Sequence, residues 1–320
     1  MKTIVYSSPY VPPEWIEAHG LTPCRILPKG AGSHAPVRPM EGVCPYMRAF
    51  VNTAAGMPNV SGIVLATVCD QMRHAADIPA DAPHVPTFLF NVPSVWQTPS
   101  AHGLYQSELM RLGRFLATAG GSTPSADALA AVMDDYEQRR ARLYDTGSDE
   151  ICRAVAQYRH ADWIPGASRE SQPRKAIPLA FLGGPLTRED FEIYDIVRQC
   201  GGQVALDGTE EGGRTLPARF DRRRYLEDPI GELAAAYFGS IPDIFQRPNS
   251  GLFQWIERNL RPEEIKGVIL LRQVWCDKWH AEVQRIRTTL KVPLLDIDLD
   301  AQPCGARHRN RIQAFMESLR

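Results

Sequence analysis

Three cysteines of this 320-residue chain stand where thiols are well placed to bind a metal. The stretch GIVLATVCDQMRH runs an apolar segment into Cys69, and GVILLRQVWCDKWH does the same at Cys276. Both cysteines precede an aspartate at the predicted start of a helix, whose positive end is expected to lower a thiol's pKa toward the thiolate that binds metal. Cys44 begins a further predicted helix, after a loop rich in Gly and Pro. The pattern therefore predicts three candidate ligands at helix N-termini.

The predicted strands before Cys69 and Cys276 indicate where these thiols meet. In open parallel sheets, ligands bind beyond the carboxyl ends of the strands, where loops lead into helices. We therefore expect the two cysteines to face each other across a cleft between two domains, with Cys44 reaching the same cleft. Three cysteine thiolates that meet in this way could hold a four-iron cubane cluster. Each thiolate would bind one iron, and the fourth iron would stay open to water or substrate. A single cysteine after a strand is also commonly a small core residue, so spacing alone leaves a packing role open.

Both halves of the chain alternate predicted strands and helices, which is typical of parallel sheets with covered faces. Predicted strands lie at 3–8, 23–28, 62–67 and 86–92, and residues from 101 to about 162 are predicted helical. We therefore predict an α/β protein of two doubly wound parallel-sheet domains, of the Rossmann or flavodoxin type, with a helical segment between them. The predicted division is a first domain at 1–164, a linker at 165–175 and a second domain at 176–320.

Composition excludes several classes of protein. The 36 basic and 37 acidic side chains carry no excess charge for a nucleic acid or a membrane surface. No apolar run approaches the roughly 18 residues of a membrane span, and the first residues reach prolines too early for a signal peptide, so we expect a cytoplasmic protein. Seven cysteines, an odd number without a CxxC pair, indicate reduced thiols.

Basic and aromatic residues flank the candidate ligands. Arg73 and His74 follow Cys69 by about one helical turn, and His280 stands in the corresponding place after Cys276. These three side chains are expected either to donate hydrogen bonds to a cluster or substrate, or to be solvated helix residues. Their pattern does not decide between the two roles.

Other residues carry a weaker indication of a site. Tyr46 and Trp275 are expected to shield the site from water, or simply to pack. Gly183 and Gly184, at a predicted strand end, favour a tight turn over a close approach of a phosphate. The basic stretch at 221–229 is a candidate for CoA phosphates, although such runs are commonly solvated surface. Without GxGxxG or a Walker lysine, nucleotide binding is not predicted.

A series of short motifs in order along the chain resembles a known family. They are YSSPYVPPEWIEAHGLTPCRI, VCPYMR, TVCDQMRH, FLGGPL, LDGTEEGGR, DPIGELAAAYF, GVILLRQVWCDKW, VPLLDIDLD and RIQAFMESL. Together they resemble the iron–sulfur subunits of 2-hydroxyacyl-CoA dehydratases and benzoyl-CoA reductases. The resemblance covers nearly the whole chain.

The resemblance implies a cofactor and its ligands. Members of the family hold a [4Fe-4S] cluster on three cysteines per subunit, and the matching positions here are Cys44, Cys69 and Cys276. The remaining cysteines match no ligand motif and are interpreted as packing residues: Cys24, Cys152, Cys200 and Cys304.

The resemblance also implies partners and a reaction. An ATP-dependent activator protein delivers an electron through the cluster to an acyl-CoA thioester. The resulting radical loses its C2 hydroxyl group in a dehydratase, whereas in an aromatic reductase the electrons reduce the ring. A related partner subunit, or a homodimer, is expected. The general base is not predicted.

The chain departs from its relatives in two places, and two other functions stay open. Relatives carry a helical segment before the first strand, so we expect a partner subunit to supply the CoA-side wall. The stretch SIPDIFQRPNSG lacks a cysteine found in relatives, which leaves no ligands for a double cubane. One alternative function is a non-catalytic electron-transfer or cluster-carrying protein of the same fold. The other is a zinc protein that uses the three cysteines and a histidine.

Overall fold

The computed structural model describes residues 2–30, 42–77, 85–141, 143, 148–165, 176–300 and 304–320. Its strands are β1 (Thr3–Tyr6), β2 (Thr22–Arg25), β3 (Val60–Ala66), β4 (Thr87–Phe90), β5 (Ile177–Gly183), β6 (Gly202–Gly208), β7 (Gly267–Gln273) and β8 (Leu294–Leu299). Its α-helices are α1 (Pro13–Ala18), α2 (Pro45–Gly56), α3 (Asp70–His74), α4 (Pro99–Thr118), α5 (Ala126–Ala141), α6 (Ser148–Tyr158), α7 (Glu192–Gln199), α8 (Arg222–Glu227), α9 (Pro229–Tyr237), α10 (Ser250–Asn259), α11 (Asp277–Thr289) and α12 (Ala306–Ser318). The four strands predicted in the first half all form, with small shifts at their ends.

The strands form two parallel sheets of four strands each. The first sheet has the order β2-β1-β3-β4 and the second has the order β6-β5-β7-β8. In each sheet the chain first adds a strand on one side of its starting strand and then crosses to the other side. Each sheet is therefore doubly wound, with a switch point between β1 and β3 or between β5 and β7. The predicted α/β architecture is confirmed.

Apolar side chains alternate along the strands and bury both faces of each sheet. In β1, Ile4 and Tyr6 belong to one core, whereas Val5 belongs to the core under α2. In β5, Leu179 and Phe181 likewise pack on the opposite face from Ala180 and Leu182. Helices on both faces exclude water from the sheets, which is the condition for a stable parallel sheet.

Helices from the second half of the chain contribute to the first sheet's core. Tyr225 of α8 and Leu233 and Tyr237 of α9 share a buried cluster with Ile4 and other first-sheet residues. The two halves are therefore interlocked in space. The predicted linker lies almost wholly at 166–175, outside the described residues, and the domain boundaries remain a prediction.

Buried polar contacts join the two sheets. The Arg25 guanidinium group, at the end of β2, forms an ion pair at 3.3 Å with Glu211, in the loop after β6 of the second sheet, and both side chains are almost fully buried. The Tyr10 hydroxyl group donates to the Ile241 carbonyl group at 2.9 Å. Arg188 binds both the Leu27 carbonyl group and the Asp162 carboxylate. Because the remaining partner of a broken buried pair is left desolvated, these contacts hold the sheets in one relative position.

Candidate functional site

A pocket lies at the carboxyl ends of both sheets and is lined by residues from both. Ser7 and Cys69 follow β1 and β3, the two strands at the first switch point, whereas Gly184 and Cys276 follow β5 and β7 at the second. The pocket contains about 510 Å³ of empty space, part of which is open to solvent. Two ligand-binding edges of doubly wound sheets therefore meet in one place.

Each candidate cysteine is the N-cap of a helix. Cys44 caps α2, Cys69 caps α3 and Cys276 caps α11. The Cys69 sulfur accepts a hydrogen bond from the Met72 backbone N–H at 3.4 Å. The sequence prediction that all three thiols stand at helix starts is therefore confirmed by the backbone.

The three thiols influence one another electrostatically. The pKa of Cys44 is raised to about 12, chiefly by burial and in part by charges on Cys69 and Cys276. The pKa of Cys69 is likewise raised to about 11, chiefly by burial and in part by a charge on Cys276. These mutual effects show that the three thiols lie within electrostatic reach of one another.

The predicted lowering of the thiol pKa values is wrong for these residues. Backbone N–H groups at the helix N-termini do lower the pKa of Cys276, but burial outweighs them and the net shift is upward. Desolvation penalises a thiolate more than a few backbone dipoles stabilise it. A bound metal cation reverses this balance, since a coordinating thiol is deprotonated outright.

The donor set suits a cluster better than a single ion. Within the described ranges, no three His, Cys, Asp or Glu side chains are grouped closely enough to hold one metal ion. The zinc alternative requires that grouping, because all its ligands converge on one atom. A cubane takes one thiolate on each of several separate irons, so its thiolates need not converge. Three soft sulfur donors near one pocket are of the chemical type that would hold an iron–sulfur cluster.

Gly183 and Gly184 form a backbone turn that only glycine accommodates. Their φ angles are +112° and +90°. A Cβ atom on Gly183 would lie 1.8 Å from the Leu271 carbonyl oxygen, and one on Gly184 would lie 2.8 Å from the Glu210 backbone nitrogen. The tight turn expected here is present, and Gly184 also lines the pocket.

Gly183→Ala is expected to lower the free energy of unfolding by at least about 2–3 kcal/mol. Alanine is strained at this positive φ, and its Cβ atom would also clash with the backbone of Leu271. Gly103 of α4 is the matched control, since its Cβ would meet nothing within 4 Å. Gly103→Ala should stabilise the protein by up to about 1 kcal/mol through helix propensity. Urea unfolding of both variants measures the difference, and equal stabilities would contradict this explanation of the turn.

Tyr46 is the predicted shielding residue that the structure places in the pocket wall. It is 2% exposed, and its hydroxyl group makes no hydrogen bond within geometric limits. Ser7 is near enough to lower the hydroxyl's pKa, although burial raises that pKa overall. A buried donor of this kind beside a cavity is normally satisfied by water or a ligand.

Four other residues singled out from the sequence lie outside the pocket lining. Arg73 is exposed and forms a 3.9 Å ion pair with Asp70, while His74 and His280 are exposed on their helices. Trp275 is 39% exposed on the loop after β7. Their assignment to the site remains a prediction, as does the CoA role of 221–229, now seen to include α8.

The pocket also contains residues that the sequence did not single out. The polar and aromatic ones among them are Ser7, Ser8, Glu210, Asp243, Lys278 and Trp279. The rule that ligands collect after strand ends could have identified Ser7 and Ser8 after β1, and Glu210 after β6. Asp243 lies in a stretch without regular structure, and no sequence signal pointed to it.

The other described cysteines pack in cores. Cys24 of β2 and Cys304 are each 7% exposed within apolar clusters. Cys200 ends α7 and packs partly buried against the second-sheet core. Their interpretation as packing residues agrees with these positions, and the Cys152 side chain lies outside the described residues.

Two doubly wound sheets that share a thiol-bearing pocket define a class of α/β protein with its ligand site between two sheets. The sequence model of the 2-hydroxyglutaryl-CoA dehydratase D-component matches residues 9–319, so this chain belongs to that family. The family is a dehydratase-type component acting on acyl-CoA thioesters, as the resemblance implied. A search of curated proteins returned no match. No described helix has the length and apolarity needed to cross a bilayer.

Proposed function

We propose that this chain is the [4Fe-4S] subunit of a radical 2-hydroxyacyl-CoA dehydratase, with Cys44, Cys69 and Cys276 as the cluster ligands. The observation that carries the proposal is the shared pocket, in which Cys69 of the first sheet and Cys276 of the second meet beside Cys44. Membership of the dehydratase family supports the reaction class. The proposed partners are an acyl-CoA substrate, an ATP-dependent activator protein and a second related or identical subunit.

The cluster, when bound, supplies one low-potential electron and an open coordination position for a substrate oxygen. The chain's own residues prepare the space around it. The apolar part of the pocket wall excludes water and is formed by Ala66, Val68, Met72, Ile244 and Trp279. Exclusion of water strengthens each electrostatic interaction in the pocket and protects a reactive substrate from side reactions.

Polar groups on the wall are available to hold a thioester. The Ser7 backbone carbonyl group accepts from Arg25 Nε at 3.1 Å, which fixes the backbone where β1 enters the pocket. The Ser8 hydroxyl group accepts from the Tyr10 N–H at 3.3 Å and retains its own proton for donation. The Tyr46 hydroxyl group, without a well-formed hydrogen bond, is a second donor for a substrate oxygen.

Anaerobic purification followed by a turnover assay tests the proposal. We expect about four iron and four sulfide per chain. With the partner subunit, the ATP-dependent activator protein, ATP and a reductant added, we expect conversion of 2-hydroxyglutaryl-CoA or 2-hydroxyhexanoyl-CoA to the 2-enoyl-CoA. An iron-free protein would contradict the cluster. An iron-containing protein that reduces benzoyl-CoA would instead be an aromatic reductase. An iron-containing protein that converts neither 2-hydroxyacyl-CoA nor benzoyl-CoA would instead be an electron carrier. Either result would contradict the dehydratase assignment.

A further inference from the structure

We propose that Glu210 exchanges the proton with the substrate in this pocket, donating it to the departing C2 hydroxyl group. This inference rests on the proposed dehydratase function and adds the proton-transfer residue that the sequence did not predict. It starts from the three carboxyl groups gathered at this edge of the second sheet, which are those of Glu210, Glu211 and Asp243.

Two of the three carboxyl groups are paired with buried arginines. Glu211 pairs with Arg25 at 3.3 Å, and Asp243 pairs with Arg214 at 3.0 Å. The Arg25 and Arg214 side chains are at most 1% exposed, so each carboxylate faces a cation that water does not screen. Both of these carboxyl groups are therefore already engaged by a buried cation in an ion pair.

Glu210 differs from both. It lines the pocket, and no hydrogen bond or ion pair joins its carboxyl group to another described residue. Its backbone is nevertheless fixed, because its carbonyl group accepts from the Thr215 hydroxyl at 2.8 Å and from Arg25 Nη2 at 3.3 Å. The structure thus fixes the backbone of Glu210 and leaves its carboxyl group able to form hydrogen bonds in the pocket.

The surroundings of Glu210 favour its neutral, protonated form. Burial raises its pKa, and the negative charges of Glu211 and Asp243 raise it further against the smaller opposing effects of Arg25 and Arg214. A carboxylic acid kept neutral near physiological pH is a general acid. The other titratable groups that line this pocket or respond to charge on Glu210 are Lys278, Tyr46, Tyr10, Cys69 and Cys276.

The proposed step balances atoms and electrons. The C2–O bond breaks with its electron pair on oxygen, and the Glu210 proton converts the departing hydroxide into water. The Glu210 carboxylate then takes the proton released from C3, which restores its acid form. Because dehydration is redox-neutral overall, the electron supplied at the start of the cycle is returned at its end.

An infrared comparison of purified protein tests the protonation of Glu210 without any turnover. Glu210→Gln should lose a carbonyl band of a protonated carboxyl group that wild type shows at neutral pH. Glu264→Gln is the matched control, because Glu264 is an exposed carboxylate paired with Arg261. Its spectrum should retain the band. A wild-type spectrum without a band that depends on Glu210 would overturn the proposal.

A turnover measurement tests the role of that proton. Glu210→Gln should lower kcat at least about 100-fold with little change in KM, whereas Glu264→Gln should match wild type. Wild-type kcat should fall as pH rises through the raised pKa of Glu210, since the acid form is then lost. In Glu211→Gln this fall should begin at lower pH, because a neighbouring negative charge is gone.

The outcomes separate this inference from the proposed function. Near-normal kcat in Glu210→Gln, or a pH profile that Glu211→Gln leaves unmoved, would overturn the role of Glu210 alone. Absence of 2-hydroxyacyl-CoA turnover in wild type would overturn the dehydratase function and this inference with it.

Discussion

Cys276→Ser is expected to abolish dehydration and to leave the anaerobically purified protein with much less iron than wild type. Serine offers a hard oxygen that stays protonated, in place of the soft thiolate that iron–sulfur clusters require. We expect activity to fall more than about 100-fold, beyond what is typically lost when an outer partner of a metal ligand is removed. Cys44→Ser and Cys69→Ser should behave alike, because all three thiols stand at helix N-caps around one site.

Cys200→Ser provides the matched control for this series. Cys200 is partly buried, as Cys69 and Cys276 are, but it packs against the core of the second sheet at the end of α7. Its replacement should leave the iron content unchanged. A Cys276→Ser protein with full iron content, or a Cys200→Ser protein that loses iron, would refute the ligand assignment.

Arg214→Leu is expected to lower the free energy of unfolding by about 3–5 kcal/mol, the usual cost of removing one partner of a buried ion pair. The guanidinium group donates to the carbonyl groups of Gly208 and Pro242, both at 2.7 Å, and to Asp243 at 3.0 Å. It also reaches the Gly183 carbonyl group at 3.3 Å. Leucine would leave Asp243 without its cation and the three carbonyl groups without this donor.

Arg261→Leu is the control for Arg214→Leu. Arg261 pairs with Glu264 at 2.8 Å, but both side chains are more than half exposed. Solvent screens such a pair, so its loss should cost no more than about 1 kcal/mol. Urea unfolding midpoints of the two variants compare the same substitution in buried and exposed settings. Similar midpoints would show that Arg214 stabilises the fold no more than the exposed Arg261 does.

Local patterns in the sequence were enough for the strands, the helix starts and the fold class. The apolar runs ending before Cys69 and Cys276 form β3 and β7, and the proline after Cys44 opens α2. These features depend on neighbours a few residues away, which is why they can be read from the chain itself. The order of motifs along the chain likewise indicated the family to which it belongs.

The sequence did not predict which side chains are buried or which distant segments pack together. The helix N-termini suggested lowered thiol pKa values, but the folded chain buries Cys44 and Cys69 and raises them instead. The packing of α8 and α9 on the first sheet was also unforeseen, because their amphipathic patterns do not say which sheet they cover.

The sequence by itself determined that this is a doubly wound α/β chain with three cysteines at helix N-termini. Only the tertiary structure decided that Glu210 lines the pocket with no ion pair to another described residue, while Glu211, the next residue, is paired with Arg25. Two identical side chains adjacent in sequence have the same intrinsic chemistry. Their surroundings differ because an ion pair depends on groups that folding brings together from distant parts of the chain, here Arg25 of β2 and Glu211 after β6.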